Sequence, residues 1–248
     1  MPIPFYGRAA GAVFSPLESQ SRTELVARRL TDAIALGLVP DGEQLPGEME
    51  LAGLLGVSTV TIREALATLR HEGLVVTRRG RGGGSFVQAS REVAARLAEQ
   101  RLAAFGLLQL RDLGDVYAAI SGACAALAAR RASAEDVARL HRVATQLAQA
   151  PDAALRRRAD AQFSIEMAVA AQSTRLYREE IQLQAEVGTL LWLAFGDDDS
   201  HAETVETCNA LVSAVDARDP LAARAAAERR VADATARLID FKLSKEAS

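Results

Sequence analysis

Residues 46–88, PGEMELAGLLGVSTVTIREALATLRHEGLVVTRRGRGGGSFVQ, constrain this chain more than any other stretch. Leu51, Leu54, Leu55, Val57, Ile62, Leu66 and Leu69 recur mostly at steps of three and four, the spacing of an apolar stripe on helices that share a small core. Gly56 breaks the pattern where two crossing helices need a turn residue tolerant of positive φ. Ser58 can cap the following helix through its hydroxyl, so the spacing predicts a helix from about Thr59 to Gly73. Two β-prone runs follow, Leu74–Thr77 and Ser85–Gln88, around an arginine- and glycine-rich tip. Helix, glycine turn, helix and hairpin in that order predict a winged helix-turn-helix, a shape that places one helix in the DNA major groove.

The flanks fit this reading. Arg22–Leu36 repeats the helical period through Leu25, Val26, Leu30, Ala33 and Ile34, and Gly37 offers a stop. Pro40, Asp41 and Gly42 make a turn before the next helix. Between Ser58 and Arg81 stand Arg63, Arg70, Arg78, Arg79 and Arg81 against Glu64 and Glu72, five minus two, on a chain whose net charge is −3. A local positive face on an acidic background is what phosphate neutralisation requires. The tip lacks the lysine followed by serine or threonine of a phosphate-cradling P-loop, so a nucleotide site there is not expected.

With 248 residues, the chain is far longer than a winged domain of about seventy, so a second core is expected. Alanine and leucine dominate after residue 91 and aromatics make up only 4% of the chain, a profile that favours packed helices. The predicted division is an N-terminal arm at 1–18, a winged domain at 19–89 and an all-helical domain at 90–248. Within the last, helices are expected over 92–106, 109–131, 133–149, 152–171, 173–195, 199–218 and 220–244, with Ser133 and Asp219 as N-terminal signals. The fold class is therefore mainly α: three helices and a two-stranded wing joined to a helical-bundle effector domain.

Cys124 and Cys208, far apart in helical patterns, read as buried free thiols. No signal-peptide pattern opens the chain, and the apolar run at Leu190–Phe195 is too short to span a bilayer, which points to the cytoplasm. His71, His141 and His201 read as ordinary surface residues, and the triplet Asp197–Asp199 as a solvated turn without the spacing of a calcium loop. No Ser/His/Asp order, H-E-x-x-H helix, paired-cysteine motif or dinucleotide fingerprint occurs, so catalysis is not expected.

In order, Pro46, Glu48, Glu50–Ala52, Leu55–Ser58, Ile62–Leu66 and Glu72–Val75 resemble the DNA-binding domain of the GntR regulators. The resemblance implies DNA contact by Ser58, Thr59, Thr61, Arg63, Arg79 and Gly80, with Arg63 foremost. Met49 and Thr59 stand where FadR-type members commonly carry arginine, which implies an altered operator preference.

The second half resembles, more loosely, the FCD effector domain of that subfamily. Its landmarks are Arg111 with Asp115, the alanine-rich Ala118–Arg131, Asp160 with Phe163, and Leu211, Ala214, Asp219 and Ala223. Many members hold a metal with an aspartate and three histidines. Here those places read Asp160, Ser164, Cys208 and Arg230, and an arginine donates hydrogen bonds and repels a cation, so no metal and no other cofactor is expected. Two readings of Arg230 stay open: with or without Arg111 it anchors an acidic effector by bidentate pairing, or it closes a salt bridge with Asp160. Tyr117, Phe163, Tyr177 and Trp192 suit either a cavity wall or plain core.

The resemblance thus implies a homodimeric regulator, a repressor, that binds double-stranded DNA at an inverted-repeat operator and responds to a small-molecule effector, an organic acid among the candidates. The alternative is a ligand-independent DNA-binding dimer with a degenerate sensor domain.

Overall fold

The structure is a computed structural model and describes residues 21–35, 37, 39–80, 82–88, 91–194 and 198–247. The expected arm at 1–18, the wing residue Arg81 and Asp197 of the acidic triplet lie outside the described residues.

Three helices and a hairpin form the N-terminal unit: α1 (Arg22–Ala35), α2 (Glu48–Leu55), α3 (Thr59–His71), β1 (Val75–Arg78) and β2 (Gly84–Val87). Val26, Ala27, Leu30 and Ile34 of α1 pack on Ile62, Ala65, Leu66 and Leu69 of α3, and Leu45, Leu51, Ala52, Leu74, Val75 and Val87 close the core. Gly56 takes φ +65° at the end of α2, its N–H bonded to Ala52 O, and the chain turns by 109° into α3. The Ser58 hydroxyl accepts from Thr61 N at 3.2 Å, which fixes the start of α3. Leu54 departs from the apolar stripe: it is 70% exposed, because α2 turns Leu51, Ala52 and, in part, Leu55 toward the core and leaves Leu54 on its outer face.

β1 and β2 pair antiparallel from Val75↔Val87 to Arg78↔Gly84, one residue off the predicted runs, and Gln44 adds a bridge to Phe86. The tip is tight. A Cβ at Gly83 would lie 2.6 Å from Arg78 O and 2.9 Å from Gly80 O, so no larger residue fits.

The C-terminal unit is all helical: α4 (Arg91–Ala104), α5 (Leu107–Arg131), α6 (Ala134–Gln149), α7 (Ala153–Ala170), α8 (Thr174–Leu183), a π-helical turn (Gln184–Gly188), α9 (Thr189–Leu191), α10 (Asp198–Asp216) and α11 (Pro220–Glu246). Ser133, Asp152 and Asp219 cap α6, α7 and α11 through side-chain oxygens. The long α5 and α11 run antiparallel in close contact, since Gly114 backs onto Thr235 and Gly122 onto Glu228. Ala125, Ala128, Leu140, Leu147, Phe163, Leu211 and Val215 fill the main core.

The helix expected over 173–195 is interrupted by the π-helical turn. Side chains from elsewhere hold it open: Gln184 Nε2 donates to the Tyr117 hydroxyl at 2.5 Å, and Arg101 Nη2 donates to the carbonyls of Ala185 and Glu186 at 3.3 and 3.4 Å. Arg101 also reaches the winged unit, its Nη1 lying 2.5 Å from Asp32 Oδ1 on α1, and Arg28 on α1 lies 3.4 Å from Glu186. α4 serves both cores: Val93 and Leu97 pack on the winged unit, Ala98 and Leu102 on the helical one. Among the described residues no single helix is long and apolar enough to cross a membrane.

Candidate DNA-binding face and effector cleft

The first turn of α3 stands at the surface. Ser58 is exposed, Thr59 and Thr61 are half-buried, and the Ser58 and Thr61 hydroxyls lie 2.9 Å apart, so the cap also orders the edge that faces outward. Arg63 extends from the next turn with 64% of its side chain exposed, steadied by its Nε at 2.6 Å from Glu48 Oε2. That partner is on α2 rather than among the α3 neighbours, so the pair ties the two helices of the motif together. Arg79 and Gly80 are exposed in the wing, where Gly80 takes φ +103°. Arg78 lies over the Phe86 ring, 4.4 Å from its centroid, which stiffens the hairpin below them. Around this face Met49 and Val60 stand 83% and 58% exposed, apolar side chains held in water with no core to enter.

In the helical unit a cavity of about 70 Å³ opens between α7, the π-helical turn, α9, α10 and α11. Tyr117, Gln184, Leu191 and Val231 line it, with Asp160, Trp192 and Arg230 on one side and Glu203, Asp233 and Arg237 also lining it. Asp160 Oδ1 pairs with Arg230 and Oδ2 accepts from Trp192 Nε1 at 3.0 Å. Arg230 Nη1 donates to Ser164 Oγ at 3.3 Å. Burial works against the charge of Arg230, but the attraction of Asp160, with Cys208 and Tyr117, outweighs it and raises the guanidinium pKa further.

Of the residues expected around the effector, Asp160, Ser164, Cys208 and Arg230 come together, although only Asp160 and Arg230 line this cavity. Arg111 does not. It is exposed near the start of α5 and lines no part of the cavity, because it stands with Asp112 on the solvent side of the helix while Leu110 and Gly114 face inward. The metal implied by the subfamily does not fit these residues: a guanidinium already bonded to the aspartate occupies the place of a ligand, and burial pushes the Cys208 thiol up to about 12, far from a thiolate. Among the described residues no group of three or more His, Cys, Asp or Glu side chains is placed to hold a metal ion. His71 and His141 are exposed as expected, whereas His201 is buried on α10.

Glu180 carries no signal in the amino-acid pattern, standing beside Glu179 in an ordinary charged run. A second cavity, about 20 Å³, lies behind Arg230 and is lined by Ser121, Cys124 and Glu180. Burial pushes the Glu180 carboxyl up to about 7, against the hydrogen bond from Ser121 at 3.1 Å and the charge of Arg230. Its Oε1 and Arg230 Nε are buried with no protein hydrogen-bond partner, and a space of this size suits one water-sized group. Tyr117 and Gln184, joined to each other, connect this region to the π-helical turn.

Two family models match the chain, that of the bacterial regulatory proteins of the gntR family at residues 22–84 and that of the FCD domain at 112–233. RmpR of Mycobacterium gastri, named as an HTH-type transcriptional regulator, is 40% identical over 194 residues, 78% of this chain and 69% of its own length. An uncharacterised HTH-type transcriptional regulator of Mycobacterium tuberculosis is 34% identical over 150 residues, 60% of this chain and 61% of its own. An Escherichia coli protein named as a fructoselysine utilization operon transcriptional repressor is 38% identical over 84 residues, 34% of each chain. The solved structure of E. coli McbR/YncC superposes with a TM-score of 0.52 over 92% of this chain and 100% of that one, at 19% identity, a likeness of fold alone.

Proposed function

Since this chain belongs to the GntR family of bacterial regulatory proteins, joining a winged helix-turn-helix to an FCD effector domain, we propose that it is an operator-binding repressor released from DNA by a small molecule. The family and these relatives are transcriptional regulators and not enzymes. In this reading residues 19–89 bind DNA, and 90–248 take up the effector and dimerise the protein in the cytoplasm.

The observation that carries it is the outward edge of α3, capped at Ser58 and flanked by the wing. Ser58, Thr59 and Thr61 offer hydroxyls to phosphates or base edges, Arg63 offers a fork that matches guanine, and Arg79 with the Gly80 backbone reaches phosphates beside the groove. Two such units on a two-fold axis would read an inverted repeat, because one winged domain makes few base contacts by itself. The effector enters the cavity beside Gln184. An organic acid would enter only by taking Arg230 from Asp160. Binding there acts on the π-helical turn, which Arg101 links to Asp32 of the winged unit, and so favours one domain arrangement over another.

Footprinting and titration on promoter DNA at fixed salt test this. Arg63→Ala is expected to lower specific affinity by about ten-fold or more while nonspecific binding persists. Arg79→Ala weakens all sequences alike and flattens the salt dependence by about one charge. A folded Arg63→Ala protein with unchanged operator affinity would falsify the reading of α3. An operator affinity indifferent to every small molecule would leave the helical unit a dimerisation module, which the closed Asp160–Arg230 pair favours.

A further inference from the structure

We propose that Asp160 fills the anion-binding niche of the cleft from within, so that the effector the cleft accepts is an uncharged or cationic molecule bearing hydroxyl or amino groups, and not a carboxylate or phosphate. This rests on reading the cavity as the effector site.

Recognition of an acid needs convergent donors. Two donors here, the Arg230 guanidinium and the Trp192 indole N–H, already converge on one carboxylate, that of Asp160, one on each oxygen. The set reproduces what a bound acid would receive, a guanidinium and a neutral donor, with the acid supplied by the chain itself.

Charge around the cavity points the same way. Its lining holds three carboxylates, Asp160, Glu203 and Asp233, against two guanidiniums, Arg230 and Arg237, an excess of one negative charge. Both guanidiniums are taken, Arg230 by Asp160 and Arg237 by Glu203, while Asp233 pairs with no cation among the described residues. An entering anion would meet repulsion from Asp233 and would have to evict Asp160, whose side chain is only 15% exposed and would then lie buried without its countercharge. A hydroxyl or ammonium group meets acceptors instead, the outer lone pairs of Asp160 and the carboxylate of Asp233.

The test is chemical rescue, read as melting temperature of the full-length protein without DNA. Asp160→Gly leaves Arg230 without its countercharge and opens a carboxylate-sized space. The variant is expected to melt lower by on the order of 10 °C. Acetate, at constant ionic strength against chloride, should restore at least half of that loss in the variant and leave wild type unmoved. A folded Asp160→Gly protein indifferent to acetate, or saturable stabilisation of wild type by acetate, overturns the proposal. Should the variant not fold, wild type titrated with succinate, butanediol and putrescine decides. Stabilisation by the diol or diamine beyond that by succinate is expected, and the reverse order overturns the assignment. Because no DNA enters the measurement, an acid that binds wild type refutes the ligand class and leaves the regulator reading intact, whereas that reading fails separately, on operator binding.

Discussion

Among individual residues, burial decides which charges the helical unit tolerates. Glu180 is 1% exposed and its carboxyl is pushed up to about 7 from the ordinary 4.5. A raised folded pKa means that the native state holds the proton more tightly than the unfolded chain does. Stability is therefore greatest while both states are protonated, falls as pH rises from 4.5 to about 7, and is level above that. Glu180→Gln removes this slope. Between pH 5 and pH 8 wild type should lose up to about 3 kcal/mol more than the variant, seen in urea midpoints at the two pH values. Parallel pH profiles for the two proteins would show that Glu180 ionises freely. Asp160 and Arg230 were legible as a pair because the family pattern spaces them, but Glu180 was not. Nothing within TRLYREEIQL separates it from its exposed neighbour Glu179, and only the packing of α8 against α5 buries it.

Helices and turns show where local signals suffice. The starts of α3, α6 and α11 were readable in advance, since Ser58, Ser133 and Asp219 satisfy the first free amides with their own side chains. The π-helical turn was not, because Tyr117 and Arg101, distant in sequence, hold it. The α5–α11 contact was equally hidden, although it depends on two glycines. At Gly114 a Cβ would lie 2.5 Å from Thr235 Cγ2 and 3.0 Å from its Cβ, and that buried, β-branched side chain is fixed by its hydroxyl on Val231 O at 2.8 Å. At Gly122 the obstacle is Glu228, a longer, jointed side chain that pairs with Arg224 near the surface and can swing away. Gly114→Ala should therefore destabilise by about 1–2 kcal/mol, overpacking exceeding the gain in helix propensity. Gly122→Ala should be neutral or stabilising by up to about 1 kcal/mol. Thermal melts that place the two variants in the opposite order would contradict the assigned contacts.

Across the whole molecule, the two units communicate through few groups, and Arg101 is the most committed of them. It sits on α4, which packs on both cores, and holds Asp32 of α1 with one nitrogen and the carbonyls of the π-helical turn with another. Burial raises the Asp32 pKa, and the attraction of Arg101 opposes the shift, so removing Arg101 strands a carboxylate whose side chain is only 7% exposed. Arg101→Ala should destabilise by roughly 3–5 kcal/mol. It should also split a single calorimetric transition into two, the winged unit melting by itself. Destabilisation alone would not establish a link between the units, since any stranded charge produces it. The double variant Arg101→Ala with Asp32→Asn removes the stranded charge and leaves the bridge broken. If it regains most of the lost melting temperature and still unfolds in two steps, the bridge is what makes the molecule cooperative, and a ligand that moves the π-helical turn has a route to α1. If the double variant melts in one step, the apolar faces of α4 hold the units together, and Arg101 serves only to neutralise Asp32.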